Sequence, residues 1–543
     1  MAQSESWLRR ISRRDFLEGV LVAGAGASLT SCVHAPSAPA RAQPRGMGGE
    51  VFKACHALGS GATFSEGVLE SELHDVVVLG AGLSGLCAAW ALKKSGVGDV
   101  VLLDKEPVAG GEARALQIAG KRAAAGAAYS LTPWGDPLFD FYRALGVVPE
   151  GGTKPDPKYL VPEPANRSFY GGRWIDDAWN DGMGNLPLES AALADLKTLR
   201  ATMLELASYK TTDGRPAFET PVDDCTHDEA IRALDRVSFA AWVASRGWRP
   251  EATAFFDPYC RSALGMKSDE VSAWAAINFL QAEFGPTLTQ PGGTAWLAEK
   301  LVALVGAQSL KLGRNIVRVV TADDGVRVTT TDVEGQDPRT LKARRAIFAL
   351  PKYLAPFLLP QATAGRCQVW SGFAFGPYIV ANLAVSEIDR GTHYDNWLHR
   401  DAAAPGEARL VTDFIVADAQ ERKGATGPGV LTVYCPVVAP FERAQVLRES
   451  FDVWAERIVS GLAPAVPSLR ERLQAIDLFR WGHAVVLSRT GFVFGPERTS
   501  ALIPLGAIHF ANTDVDGSPS VEGALLQGLR AAKEAATALG RKS

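Results

Sequence analysis

The chain has 543 residues, 47% of them hydrophobic and 21% charged, a composition that buries a large core and excludes a disordered tail or a disulfide mini-protein. Lys plus Arg number 56 against 60 Asp plus Glu, a net charge of −4, and no basic run is interleaved with stacking aromatics, which excludes nucleic acid as a partner. The 53 glycines sit in short clusters rather than repeats, which excludes collagen-like and linker-dominated architectures.

At the N-terminus, Ser12-Arg13-Arg14-Asp15-Phe16-Leu17 precedes an apolar stretch, Gly19 to Ser31, rich in Gly and Ala. This resembles a twin-arginine export signal, and the stretch is shorter than the roughly 20 residues a membrane span needs. Leu29-Thr30-Ser31-Cys32 resembles a bacterial lipobox, which implies a lipid tether at Cys32, with an ordinary cleavage site as the alternative. Residues 1–32 therefore read as signal. Residues 33–72, rich in Ala, Pro, Gly and Ser, read as a flexible tether. The resemblance implies the export machinery as a partner, a periplasmic or exported location, and folding with a cofactor aboard before export. The other six cysteines, Cys55, Cys87, Cys225, Cys260, Cys367 and Cys435, show no metal-ligand spacing and read as buried thiols without a catalytic role.

His74 to Leu79 is a continuous apolar run of the kind a parallel strand covered on both faces requires. Gly80-Ala81-Gly82-Leu83-Ser84-Gly85 follows at once, then Leu86, Ala89, Trp90 and Leu92 at helical spacing, then a second apolar strand, Val100 to Leu103, closed by Asp104 and Lys105. Three glycines at that spacing are weak alone and stronger inside a strand–turn–helix–strand unit. Gly80 permits the tight turn, Gly82 lets backbone approach a pyrophosphate, Gly85 lets helix and strand pack closely, and the helix N-terminus offers unpaired N–H groups. Asp104 accepts ribose hydroxyls in this scheme. An NAD(P)-dependent dehydrogenase using this motif alone is one reading of it.

Gly110-Gly111-Glu112-Ala113-Arg114 and Gly126-Ala127-Ala128-Tyr129 come next. With them the chain resembles the flavin-containing amine oxidase superfamily, which includes monoamine and polyamine oxidases, protoporphyrinogen oxidases and carotenoid desaturases. The resemblance implies FAD, with the second glycine pair, Arg114 and the 126–129 loop along its pyrophosphate and toward its ring. Later blocks keep the family order: Gly292-Gly293-Thr294 before a helix, hairpin strands about Val317, and Ala346 to Pro351, where Ala349 and Pro351 close a returning strand. Val317 is implied as a backbone contact to adenine. The C-terminal block, Phe510-Ala511-Asn512-Thr513-Asp514 and then Val521-Glu522-Gly523-Ala524, implies a helix whose N-terminus meets the flavin at Val521. Asp514 is the implied ribityl ligand and Asp516 its competitor, because Asn512 and Thr513 stand where the family has Gly and an acid.

The fold class expected is α/β plus α+β: a Rossmann-like FAD-binding domain from discontinuous segments, 73–129, 285–360 and 481–540, with a substrate domain inserted at 130–284 and 361–480. Tyr378, Trp397, Tyr434 and Trp481 are the expected walls of a dry substrate cavity, and His483 is the expected catalytic group, since a histidine pKa is easily tuned near neutrality. Asn382 and Asp395 are weaker candidates. Many amine oxidases carry a lysine on the strand corresponding to Gly376–Val385, and this chain has none there. The expected activity is hydride transfer from an amine, amino acid or hydrophobic small molecule to flavin N5, with oxygen or another carrier as electron acceptor. A tethered flavoprotein that relays electrons or assembles with partners, without a substrate, is the alternative. No metal motif is present.

Overall fold

The computed structural model describes residues 45–283, 285–389, 393–399, 410–421 and 426–541. Arg13, Arg14 and Cys32 lie outside the described residues.

The first sheet grows around strand Val68–Leu79. Its side chains Val76 to Leu79 are fully buried, and strict alternation divides them between two cores. Val76 and Val78 pack with Leu86, Ala89, Leu525 and Ala532; Val77 and Leu79 pack with Val319, Leu341, Phe348 and Phe510. A strand with both faces covered has to be apolar throughout. Parallel neighbours are Val100–Asp104 on one side and Arg339–Phe348 on the other. Leu310–Leu312 extends the sheet at one edge, the antiparallel strands Gly325–Thr331 and Asn315–Ala322 extend it at the other, and Ile508–Phe510 runs parallel to the end of Arg339–Phe348. Segments distant in sequence thus meet at the carboxyl ends of the parallel strands, where open α/β sheets bind ligands.

The second sheet has eight strands in the order Arg45–Gly49, Leu473–Val486, Phe375–Asp389, Thr426–Pro436, Asp413–Val416, Asp395–Leu398, Asn166–Tyr170 and Arg173–Asp176. Helices Ser190–Ala207, Phe239–Ser245, Pro250–Leu264 and Ala273–Glu283 share a separate apolar core. This mixture of α/β and α+β matches the expected class.

The N-terminal part departs from the tether reading. Residues 45–49 pair in parallel with Ile476–Arg480, and helix Lys53–Gly59 follows. Gly-rich Arg45-Gly-Met-Gly-Gly has no strand propensity; the unpaired edge of Leu473–Val486 imposes the pairing. The pairing brings Gly46 against the Asp477 carboxylate, 2.4 Å from where a methyl group would stand, so a larger residue there would have to turn that side chain aside.

Candidate functional site

The glycine loop and its partners form a bare backbone cradle. Gly80 turns at φ 103° against Ala349, whose N–H donates to Leu79 O at 2.9 Å. A methyl group on Gly85 would lie 1.9 Å from Gly80 O, so helix Leu83–Lys94 can start only with glycine there. Gly110 N–H donates to Ala81 O at 2.8 Å, and a methyl group on Gly111 would sit 3.0 Å from the Gly82 Cα. No side chain caps the N-terminus of helix Leu83–Lys94, and no acid lies in its first turn. Open N–H groups beside two facing glycines suit a pyrophosphate. At the end of the second strand, Asp104 accepts from Ala81 N–H at 2.7 Å and Glu106 N–H at 2.9 Å. Burial pushes its carboxyl up, opposed by those bonds and by Lys105.

The C-terminal block closes the cradle. Ser84 Oγ accepts from Asn512 N–H at 2.9 Å, and Ser520 Oγ accepts from Gly523 N–H at 2.8 Å, capping the helix that begins at Val521. That helix crosses Leu83–Lys94 closely, since a methyl group on Gly528 would lie 2.4 Å from Ser84 O. Asn512 has φ 86°, the backbone a glycine would take. Asp514 is also paired within the protein. Its Oδ2 accepts from Lys352 N–H at 2.7 Å and its Oδ1 pairs with Lys352 Nζ at 3.2 Å, so each oxygen already holds one partner within the protein. Asp516 is placed differently: Oδ1 accepts from Val222 N–H at 2.9 Å while buried Oδ2 has no hydrogen-bond partner. Burial pushes its carboxyl up to about 6. An orphaned buried oxygen fits a hydroxyl-rich ligand chain.

Arg114 is committed to protein. Its Nε donates to Gly111 O at 2.7 Å, its Nη1 to Glu106 Oε2 at 2.8 Å, and it lies over the Trp481 ring at 4.9 Å. Lys105 reaches Glu106 at 2.5 Å and Glu50 at 3.7 Å. Glu112, which the sequence reading passed over, is pushed up to about 8, by burial first and then by the neighbouring Glu50 charge. Val317 is buried at the bulge between Ile316 and Arg318. Pro351 begins the turn that brings in Lys352.

Cross-strand register lines Phe479, Val380, Tyr434, Asp413 and Trp397 into one row across the second sheet. Three side chains of this face catch three successive carbonyls of the loop: Asn382 Nδ2 donates to Ala124 O at 2.8 Å, Trp481 Nε1 to Ala125 O at 2.7 Å and Tyr434 OH to Gly126 O at 3.0 Å. The next residues continue the seam, Ala127 O accepting from Thr294 N–H and Ala128 O from Thr289 Oγ1. Tyr378, Tyr434 and Trp481 cluster with Ala128, Tyr394 and partly buried Tyr129. The polar ends of Tyr434 and Trp481 therefore hold the 125–126 loop against the second sheet, a use the cavity reading did not include. Trp397 departs from that reading too: its ring stacks on Tyr259 at 4.0 Å and its Nε1 donates to Asp395 Oδ2. It packs core.

His483 stacks on Tyr353 with ring centroids 4.2 Å apart, and burial, then Arg443, His56 and Lys105, hold it well below its ordinary pKa. A neutral imidazole with that surrounding charge is a poor proton acceptor near pH 7. Away from the cradle, Glu72, His74 and Asp99 bring ligand-type atoms within 4.8 Å of one another, a grouping hidden from sequence spacing because Asp99 lies on the far side of a helix. His74 Nδ1 bonds Asp99 Oδ2 at 2.9 Å. No helix among the described residues is long and apolar enough to cross a membrane.

Comparison with known proteins agrees with this architecture. Oxidoreductase PigB of Serratia sp. (strain ATCC 39006) is 23% identical over 275 residues, 48% of this chain and 40% of that protein. The probable flavin-containing monoamine oxidase A of Dictyostelium discoideum is 23% identical over 302 residues, 52% of this chain and 59% of that one. The chain thus spans about half the length of these curated relatives. A putrescine oxidase structure, wild type bound to putrescine, superposes with a TM-score of 0.65 at 19% identity, covering 87% of this chain and 100% of that one, which shows the fold. The model of the flavin containing amine oxidoreductase family matches residues 83–536. The chain belongs to that family of FAD-dependent oxidoreductases, and FAD is its cofactor.

Proposed function

We propose that this protein oxidises a small organic substrate by hydride transfer, and that the substrate is an amine, an amino acid or another small molecule with an aromatic-compatible body. When bound, FAD supplies the two-electron acceptor. Gly80, Gly82 to Gly85, Gly110 and Gly111 hold its phosphates in this reading, Asp104 its ribose, Val317 its adenine side, Asp516 its ribityl chain and the Val521 helix its ring. The observation that carries the reading is the seam. The carbonyls of residues 124–126, which continue the cradle, are bonded directly to the aromatic face of the second sheet. A dry aromatic wall therefore adjoins the cofactor site, as transfer of hydride without loss to water demands.

Full-length protein should carry flavin absorption after purification, and anaerobic mixing with panels of primary amines, amino acids and polyenes should bleach it with one class. A colourless protein that FAD does not reconstitute would sink the reading; bleaching only by dithionite would favour the electron-relay alternative. The absence of a lysine from Gly376–Val385, where many amine oxidases carry one, supports an acceptor other than oxygen. Reduced enzyme should then reoxidise at least about tenfold faster with a quinone or dye than with air, a difference of about 1.4 kcal/mol in barrier. The reading also includes export: Arg13→Lys with Arg14→Lys should leave the flavoprotein in the cytoplasm, as fractionation would show.

A further inference from the structure

Asp413 is the buried acid of the second sheet that the cofactor reading leaves without a task. It is 4% exposed, and among the described residues it has no ion-pair partner. Its contacts are hydroxyls: Ser262 Oγ donates to Oδ1 at 2.7 Å and Thr412 Oγ1 to the same oxygen at 2.7 Å. Ser262 Oγ lies 3.0 Å from Tyr378 OH. Since Ser262 spends its proton on Asp413 it cannot donate to Tyr378, so Tyr378 donates to Ser262 or to Thr412, the second hydroxyl it meets, and both of these lead on to Asp413. That leaves the tyrosine oxygen free to accept. Tyr378 sits in the cluster with Ala128, Val380 and Tyr434, against the flavin-side loop.

We propose that Tyr378, Ser262 and Asp413 form a proton relay serving substrate oxidation, with Tyr378 touching the substrate and Ser262 and Asp413 as positioning residues behind it. The inference rests on the hydride-transfer reading and narrows it to substrates bearing N–H or O–H on the carbon that is oxidised. The C–H bond breaks with its electron pair, which leaves with hydrogen as hydride to the bound flavin. The N–H or O–H proton passes to the Tyr378 oxygen, the Tyr378 proton to Ser262 Oγ and the Ser262 proton to Asp413 Oδ1. A C=N or C=O product remains, with neutral tyrosine and serine and a protonated carboxyl.

Surroundings suit that end point. Tyr434 lies directly across the strand pair, Asp395 is carried on the next strand, Cys435 adjoins, and Arg261 on the covering helix is paired with Asp257. Among the described residues no cation is paired with Asp413, and burial pushes its carboxyl up to about 7, the range in which an acceptor works best near neutral pH.

The test uses full-length FAD-loaded protein. Infrared difference spectra between pH 5.5 and 8.5 should show a protonated-carboxyl band that titrates near neutrality, survives in Glu112→Gln and disappears in Asp413→Asn; Ser262→Ala, at a half-buried position, should move its midpoint. A band absent from the wild type, or unchanged in Asp413→Asn, overturns the relay whether or not any substrate bleaches the flavin. With a bleaching amine, the rate of flavin reduction should rise with pH through a limb near 7. Asp413→Asn and Ser262→Ala should lose that limb and about 10²-fold or more in rate, while Asp413→Glu keeps it. An unchanged limb in either variant overturns the proposal.

Discussion

At Gly85 the chain has no alternative side chain to offer. Gly85→Ala places a methyl group 1.9 Å from the carbonyl of Gly80, and backbone on both sides cannot retreat without opening the cradle. The variant should purify with less flavin per chain and a lower Tm, measured by absorbance ratio and thermal melting. The Lys352–Asp514 pair is the second residue-scale constraint. Lys352 is fully buried and also donates to Ala511 O at 2.7 Å; burial pulls its ammonium down while Asp514 holds it up. Lys352→Met leaves Asp514 buried without its cation, which costs about 3–5 kcal/mol, whereas Lys352→Met with Asp514→Leu removes both charges and should recover most of that loss. Thermal melts of the three proteins check it. This pair is also what spacing could not show about Asp514. Its distance from the glycine-like Asn512 is as expected, but the lysine that claims it lies 162 residues away.

Among the elements, the N-terminal strap adds a further tie between the two sheets, beside the 124–128 seam and the shared core of Phe375 and Val486 with Val77 and Leu79. Glu50 accepts from Gly482 N–H at 3.1 Å on the second sheet and approaches Lys105 on the first. Val51 N–H donates to Glu106 Oε1 at 2.8 Å. Deleting residues 45–59 bares the edge of Leu473–Val486 and releases Glu106, so the truncated protein should lose bound flavin several-fold faster on dilution, measured by fluorescence of the released cofactor. Helix Val521–Ala538 makes a comparable demand at Gly528, where close approach to Ser84 positions both helix N-termini.

Over the whole molecule, buried carboxylates set the response to alkaline pH. Glu112 and Asp413 are raised in the folded protein to about 8 and about 7, so the native state holds protons that the unfolded state has released above roughly pH 5. Their stabilisation is present at low pH and lost as pH rises through the folded values. His483, His56 and His393 are shifted down and act the opposite way below about pH 6.5, because the unfolded chain then binds the extra protons. Between pH 6.5 and 8.5 the carboxylates dominate: Tm should fall across that window, and Glu112→Gln should flatten the fall, as a series of melts would show.

Most of the cofactor half was legible before folding, because its signals are local. Gly80, Gly82 and Gly85 lie on one turn, and Asp104 follows within one strand–helix–strand unit. The order of the later blocks could be read without knowing their contacts. The second sheet was not legible in the same way. Tyr378, Ser262 and Asp413 come from two strands and a helix, and nothing in their spacing announces a hydrogen-bonded line. Trp397 and Trp481 look alike in sequence, yet one stacks in the helical core and the other holds Ala125. Sequence alone determined the dinucleotide-type backbone cradle, since phosphate binding depends on glycine and helix termini close in the chain, and the family resemblance of the later blocks named the cofactor. Only tertiary structure decided which buried polar groups meet the 124–128 segment, because that depends on cross-strand register between residues far apart.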